Sequence, residues 1–300
     1  LPNYGTMTNN GTTNFNGKTG QQTFSGVTQF YNLTDSNTTG LLLPSAIIVN
    51  NTLTLTAGIL DANNFNINVK GNWINNASTT ALTGGTATVT FSGSANQSIG
   101  GTSVTNFNNL TISVTAYTTT LLINTSIGGN LTVAAGTFDL AAFTANRASA
   151  GGTLTVANNA TLKIGGTNSY PTNYTVSTLS VAGTVWYSGT NQIVENKSYG
   201  NLKLSGGAPG AIVKTLPTAA LAILGNFTSI LGTGTTVSFI AASNITIGGI
   251  DSIGLATTYD GGSFTTSIGG NWVNNGTFNG NTGTIIFTGP GTTVGGTGTQ

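Results

Sequence analysis

Short apolar-x-apolar triplets run through almost the whole chain, separated by Gly- and Asn-rich turns. Examples are Leu53–Leu55 (LTL), Ile67–Val69 (INV), Leu110–Ile112 (LTI), Leu131–Val133 (LTV), Leu162–Ile164 (LKI), Leu202–Leu204 (LKL) and Ile245–Ile247 (ITI). In each, two inward apolar residues flank an outward Thr, Asn or Lys, which is the pattern of a half-buried strand of about three to five residues. Helix-period stretches are almost absent. The fold must therefore pack many very short strands, each with only two or three side chains to bury.

A recurring opener precedes these strands: Gly or Asn, then Asn, then a large apolar residue. It stands at Asn72-Trp73, Asn109-Leu110, Asn130-Leu131, Asn201-Leu202, Asn226-Phe227 and Asn271-Trp272. Longer similarities overlie it. The segments starting at Gly5 (GTMTNNGT), Gly71 (GNWINNAS) and Gly270 (GNWVNNGT) match, and Phe15–Gly17, Phe91–Gly93 and Phe287–Gly289 follow them. Phe30–Thr34 (FYNLT) returns as Phe107–Thr111 (FNNLT), and Ala57–Asp61 (AGILD) returns at nearly the same offset as Ala135–Asp139 (AGTFD). A degenerate copy begins near Gly183. The chain reads as one continuous repeat domain over 1–300, with imperfect modules starting near 5, 71 and 270.

An all-β parallel β-solenoid accounts for this pattern. Stacked coils place equivalent residues about 4.8 Å apart, so identical Asn side chains can bond up and down in ladders, and Thr likewise. Gly is expected at corners that need positive φ. Stacked like charges would repel, and only 4% of residues are charged. At about 20 residues per coil the chain holds roughly 15 coils, about 70 Å in length. The alternative is a string of Ig-like β-sandwiches of about 100 residues each.

Composition restricts function as strongly as it restricts fold. Thr and Asn make up about a third of the chain, which has no His, no Cys, seven Lys+Arg and six Asp+Glu. Metal sites and acid–base or nucleophilic catalysis draw mainly on types that are absent or scarce here, so no enzymatic role, metal or cofactor is expected. A net charge of +1 offers nucleic acid no electrostatic footprint. The longest apolar run, Leu41–Val49, is broken by Pro44 and Ser45, so no membrane-spanning helix is expected. A chain starting at Leu1, without Cys and nearly without charge, reads as extracellular, and near-neutral charge favours association.

The blocks Gly71–Asn76, Thr88–Gly93, Gln97–Ile99 and Phe107–Ile112, the first two repeated over Gly270–Gly289, resemble the long β-strand-repeat surface and secreted proteins of Bacteroidetes-type bacteria. The resemblance covers most of the chain, more weakly in 142–171 and 205–260. It implies an extracellular, right-handed β-helical stalk or fibre with adhesive or matrix roles, and no catalytic residues.

Few residues qualify as sites. Of the carboxylates Asp35, Asp61, Asp139, Glu195, Asp251 and Asp260, the equivalent pair Asp61 and Asp139 points to Asx turns. Asp251 and Asp260 are close enough in sequence to meet across a loop. Trp73, Trp186, Tyr187 and Trp272 are expected inside the core, the alternative being an outward row that stacks on sugars. Thr54/Thr56, Thr86/Thr88/Thr90 and Thr118/Thr120 form Thr-x-Thr pairs, expected as ordinary outward strand residues. Lys197, Lys203 and Lys214 cluster with Glu195, an arrangement read as ordinary solubility or a mild polyanion patch.

The structural ladder is assigned to Asn72, Trp73, Asn109, Leu110, Asn130, Leu131, Asn201, Leu202, Asn226, Phe227, Asn271 and Trp272. Both ends read as uncapped, and an assembly interface is placed at Leu1, Pro2, Asn3, Tyr4, Gly298, Thr299 and Gln300. The expected role is a structural subunit of an extracellular bacterial filament, joined head-to-tail to copies of itself. Alternatives are a stalk segment of a large surface adhesin and a glycan-binding or glycan-acting β-helix, with glycans or the cell surface as partners.

Overall fold

The computed structural model describes residues 10–26, 28–234 and 236–299, and within these the chain is all-β. Its described residues form two compact units, one within 1–155 together with 171–177 and the other within 156–170 together with 178–300. Each is a parallel β-solenoid whose coils carry three short strands.

In the first unit, one face stacks Thr12–Phe15, Asn32–Asp35, Leu53–Leu55, Trp73–Asn75, Gln97–Gly101 and the end of Asn109–Leu121. A second carries Leu41–Leu42, Leu60–Asp61 and Leu82–Thr83, with Thr105–Phe107, Thr125–Ile127 and Ala145–Arg147 paired further along. A third stacks Gln29–Phe30, Ile47–Val49, Ile67–Val69, Thr88–Phe91 and the beginnings of Asn109–Leu121 and Leu131–Asp139.

The second unit repeats the plan. One face stacks Thr161–Ile164, Thr184–Tyr187, Asn201–Gly206, Phe227–Gly232, Asp251–Ile253, Trp272–Asn274 and Val294–Gly295. The others run from Gln192–Ile193 to Thr277–Asn279 and from Ser198–Tyr199 to Thr284–Phe287. Every pairing named here is parallel, whereas Ig-like sandwiches are antiparallel, so that alternative fails.

The units hold about 13 turns together, fewer than the 15 expected. Coils are not uniform. Trp73 pairs with Ile99, whereas Thr184 pairs with Asn201, and the first step along the chain is half as long again as the second. Insertions lengthen turns, and the register slips between Ile112 and Thr118 and between Ser205 and Gly206.

The core is built from aligned inward positions. Leu33, Leu53, Trp73, Ile99 and Leu121 form one column in the first unit, and each is at most 1% exposed. Burying each such side chain contributes about 1.5–3 kcal/mol, so strands that would be too short alone become stable when stacked.

The long sequence repeat does not coincide with a whole number of coils. Leu33 lies on the face that includes Leu53, but its repeat partner Leu110 lies on the face that includes Val89. Asp61 sits beside Leu42, and its partner Asp139 sits beside Thr120 on another face. The same motif thus serves on different faces, because each face asks for the same apolar-x-apolar strand.

An inward glutamine, buried at Gln97 and Gln192 and half-buried at Gln22, explains the spacing Phe/Tyr-x-Gly followed shortly by Gln. Gly17, Gly93 and Gly189 donate their N–H to Gln22, Gln97 and Gln192 Oε1 at 2.6, 2.9 and 2.8 Å. Gln97 Nε2 then donates to Val69 O and Gly71 O, and Gln192 Nε2 to Ile164 O and Asn168 O, on the preceding coil. The side chain fills the hydrogen-bonding gap left where the backbone turns.

Candidate functional site

The opener motif has a definite geometry. Asn72 Oδ1 accepts the Ser98 N–H at 2.8 Å, Asn109 that of Asn130 at 2.9 Å, and Asn130 that of Thr153 at 2.8 Å. In the second unit Asn201 accepts from Asn226 at 2.8 Å, Asn226 from Ile250 at 2.9 Å, and Asn271 from Thr293 at 3.0 Å. Each bond runs from a side chain to the main chain of the following coil, and each points the same way along the chain. The ladder is therefore not chiefly the side-chain-to-side-chain stack expected, although Asn51 Nδ2 does bond Asn32 Oδ1 at 2.9 Å. The residues after these Asn, namely Trp73, Leu110, Leu131, Leu202, Phe227 and Trp272, are all buried.

The same geometry accounts for the glycine of two openers, Gly129 and Gly225, and for Gly249 before Ile250, whereas at Gly71, Gly200 and Gly270 a Cβ would meet the main chain of the coil below. A Cβ on Gly129, Gly225 or Gly249 would collide with Oδ1 of Asn109, Asn201 or Asn226 below it. These glycines are not among those with positive φ. Positive φ is found at other turns, such as Gly85 and Gly262, but not at these opener positions, where the constraint is the close approach of the coil below.

Of the expected assembly residues, Leu1, Pro2, Asn3, Tyr4 and Gln300 lie outside the described residues. Gly298 N–H donates to Asn274 O at 2.9 Å, and Thr299 N–H to Gly276 O at 3.1 Å. Asn274 Nδ2 reaches Thr299 O at 2.6 Å. Beside them, Ile286, Phe287 and Val294 are 44%, 39% and 60% exposed.

Four carboxylates close turns. Asp35, Asp61, Asp139 and Asp260 each accept, through Oδ1, the N–H two residues on, at 2.8–3.0 Å. Asp251 departs from this pattern. It occupies an inward position between Phe227 and Trp272 in register, is 0% exposed, and neither oxygen has a hydrogen-bond partner. It lines a small apolar cavity together with Leu221, Ile223, Phe227, Ile245, Ile247 and Tyr259. Burial pushes its carboxyl up to about 8, so it holds its proton at neutral pH. No hydrogen bond joins it to Asp260, whose Oδ1 closes its own turn. The sequence signal was local: Ile250-Asp251 stands where Asn-apolar stands elsewhere, and Ile250 is correspondingly 39% exposed.

The lysine cluster also disperses. Lys214 is fully buried, and its Nζ donates to Gly189 O, Thr190 O and Gln192 Oε1 at 2.8, 2.8 and 2.6 Å. Burial lowers its ammonium to about 7. Three acceptors match the three donors of an ammonium. Lys197 Nζ stands over the Tyr170 ring at 5.3 Å.

Trp73 and Trp272 point inward, and Tyr187 is buried with its hydroxyl 3.0 Å from that of Tyr199. Trp186 points outward, contrary to expectation, because it holds the middle position of the strand Thr184–Tyr187. Its Nε1 donates to Ser205 Oγ at 2.8 Å. Lys163 and Lys203, in register on the strands to either side, place their Nζ 5.0 and 4.1 Å from the indole. Lys163 was not singled out from sequence, although superposing Leu162–Ile164, Val185–Tyr187 and Leu202–Leu204 aligns all three residues. The Thr-x-Thr pairs divide between faces: Thr54 pairs along one and Thr88 and Thr90 along another.

No group of three or more His, Cys, Asp or Glu lies together among the described residues. No helix there is long and apolar enough to cross a membrane. No protein-family model, curated protein or solved structure matches the chain.

Proposed function

We propose that the chain is a structural segment of an extracellular fibre, with tension and proteolysis resisted by stacked strands. The observation that carries this reading is the one-way series of carboxamide-to-amide bonds between successive coils, from Asn72 to Ser98 and from Asn271 to Thr293. Such a series can be extended by any further coil, because each coil presents acceptors to the next. Ile286, Phe287 and Val294 on the last described coil are apolar groups that a following coil would cover, from a neighbouring molecule or from a covalent continuation. Added strand pairing would supply main-chain hydrogen bonds, and a heterologous contact of this kind propagates instead of closing.

Negative-stain electron microscopy of the purified chain over a concentration series tests the filament form. Long uniform fibres are expected for head-to-tail assembly. Discrete particles at every concentration would leave a stalk segment of a larger adhesin as the structural reading. A globular particle with rapid proteolysis would overturn both.

A further inference from the structure

In a chain with only seven Lys+Arg in 300 residues, two ammonium groups converge on one indole. Lys163, Trp186 and Lys203 occupy the middle outward positions of three consecutive strands. The Trp186–Ser205 hydrogen bond fixes the ring, and Ser205 is itself 1% exposed. Cation–π attraction then holds each ammonium at a defined place. Burial first, and the charge of Lys163 second, lower the pKa of Lys203. Like charges so placed repel, and an anion set between them relieves that repulsion. Two residues along the same strands, Thr161, Thr184 and Asn201 stand in register, adding hydroxyl and carboxamide groups on the same face.

We propose that Lys163, Trp186 and Lys203 form a binding site for an acidic polysaccharide, which they hold through its carboxylate or sulfate-ester groups. The ammonium groups supply charge-assisted bonds to the anion, and the neighbouring Thr and Asn face sugar hydroxyls. A neutral glycan is disfavoured because the two lysines flank the ring against which it would stack. Nucleic acid is disfavoured because two ammonium groups neutralise at most about two phosphates. This site is independent of the structural reading above, since a monomeric segment would carry it equally.

Affinity electrophoresis of the full chain through gels containing a polyuronate, dextran sulfate, neutral dextran or duplex DNA tests the proposal. Retardation is expected in the polyuronate or dextran sulfate gel and not in dextran. K163Q and K203Q should each weaken it about tenfold, and K197Q should leave it unchanged. Thermal unfolding of each variant separates lost binding from lost fold. A titration that needs no variant follows the Lys203 side chain by NMR, whose pKa should rise when polyuronate is added. Equal retardation of a folded K163Q/K203Q double variant, stronger retention by DNA than by either acidic polysaccharide, or no retardation at all would overturn the proposal.

Discussion

Asn201 accepts the backbone amide of Asn226 at 2.8 Å, from the following coil, and Asn226 repeats the contact toward Ile250 at 2.9 Å. The side chain thus completes a hydrogen bond that the main chain cannot make at a corner. Asn226→Ala should remove it and lower stability by about 0.5–1.5 kcal/mol. Asn226→Asp keeps an acceptor at that position and should lose less. Urea midpoints for the two variants, with unchanged slopes, check the ordering.

The glycine that follows in the next coil should be coupled to this Asn. Gly225→Ala places a methyl group against Asn201 Oδ1 and should destabilise the fold by about 1–3 kcal/mol. Combining it with Asn201→Ala removes the carboxamide contact and leaves the one with the main-chain Val181 O. The double variant should therefore be less unstable than the sum of the singles, by about 0.5 kcal/mol or more. Simple additivity in a double-mutant cycle would show that the glycine is required for another reason.

Asp251 should make the protein more stable in acid. Its carboxyl titrates near 3.8 when unfolded and at about 8 when folded. Between those values the unfolded chain has released a proton that the folded chain still holds, so stability falls as pH rises. Below about pH 4 both states are protonated and the full contribution is present. Asp35, raised to about 6 by burial against an opposing Asn37 backbone bond, adds the same sign over a narrower window. Replacing Asp251 by Leu removes two unpartnered buried oxygens and should stabilise at pH 7 by about 1–3 kcal/mol. It should also flatten the slope between about pH 4 and 8 in denaturation series.

Lys214 has the opposite sign. Its pKa falls from 10.5 to about 7 on folding, so the unfolded chain binds the extra proton between those values and stability rises with pH there. Together with Asp251 this places a stability minimum near about pH 7–8. Lys214→Met should abolish the alkaline rise while costing about 1–3 kcal/mol, because Gly189 O, Thr190 O and Gln192 Oε1 lose a donor. Thermal midpoints from about pH 4 to 10 for the wild type and both variants resolve the two arms.

The sequence showed the fold class because period-2 triplets and Asn openers are local, and local patterns determine which side chains are buried. Coil number was less legible. Nothing in the composition of a turn says whether the next paired strand lies as near as Asn201 does to Thr184 or as far as Ile99 does from Trp73. Trp186 was misplaced for a related reason. Its facing depends on strand phase, and it sits directly between the buried Val185 and Tyr187. Lys214 looked like a surface lysine because its three acceptors come from the preceding coil. Asp251 broke the opener pattern visibly, but burial without a partner is a property of the stack that no single segment carries.

The displacement of Leu33 and Leu110 onto different faces has an evolutionary consequence. A duplication or deletion in such a gene need not be a whole coil long. A segment carrying any integral number of strands leaves the downstream sequence in phase with the three-sided winding. The heritable unit of this architecture is thus the individual strand with its turn, and the family of chains it can generate should vary in length by steps of about a third of a coil.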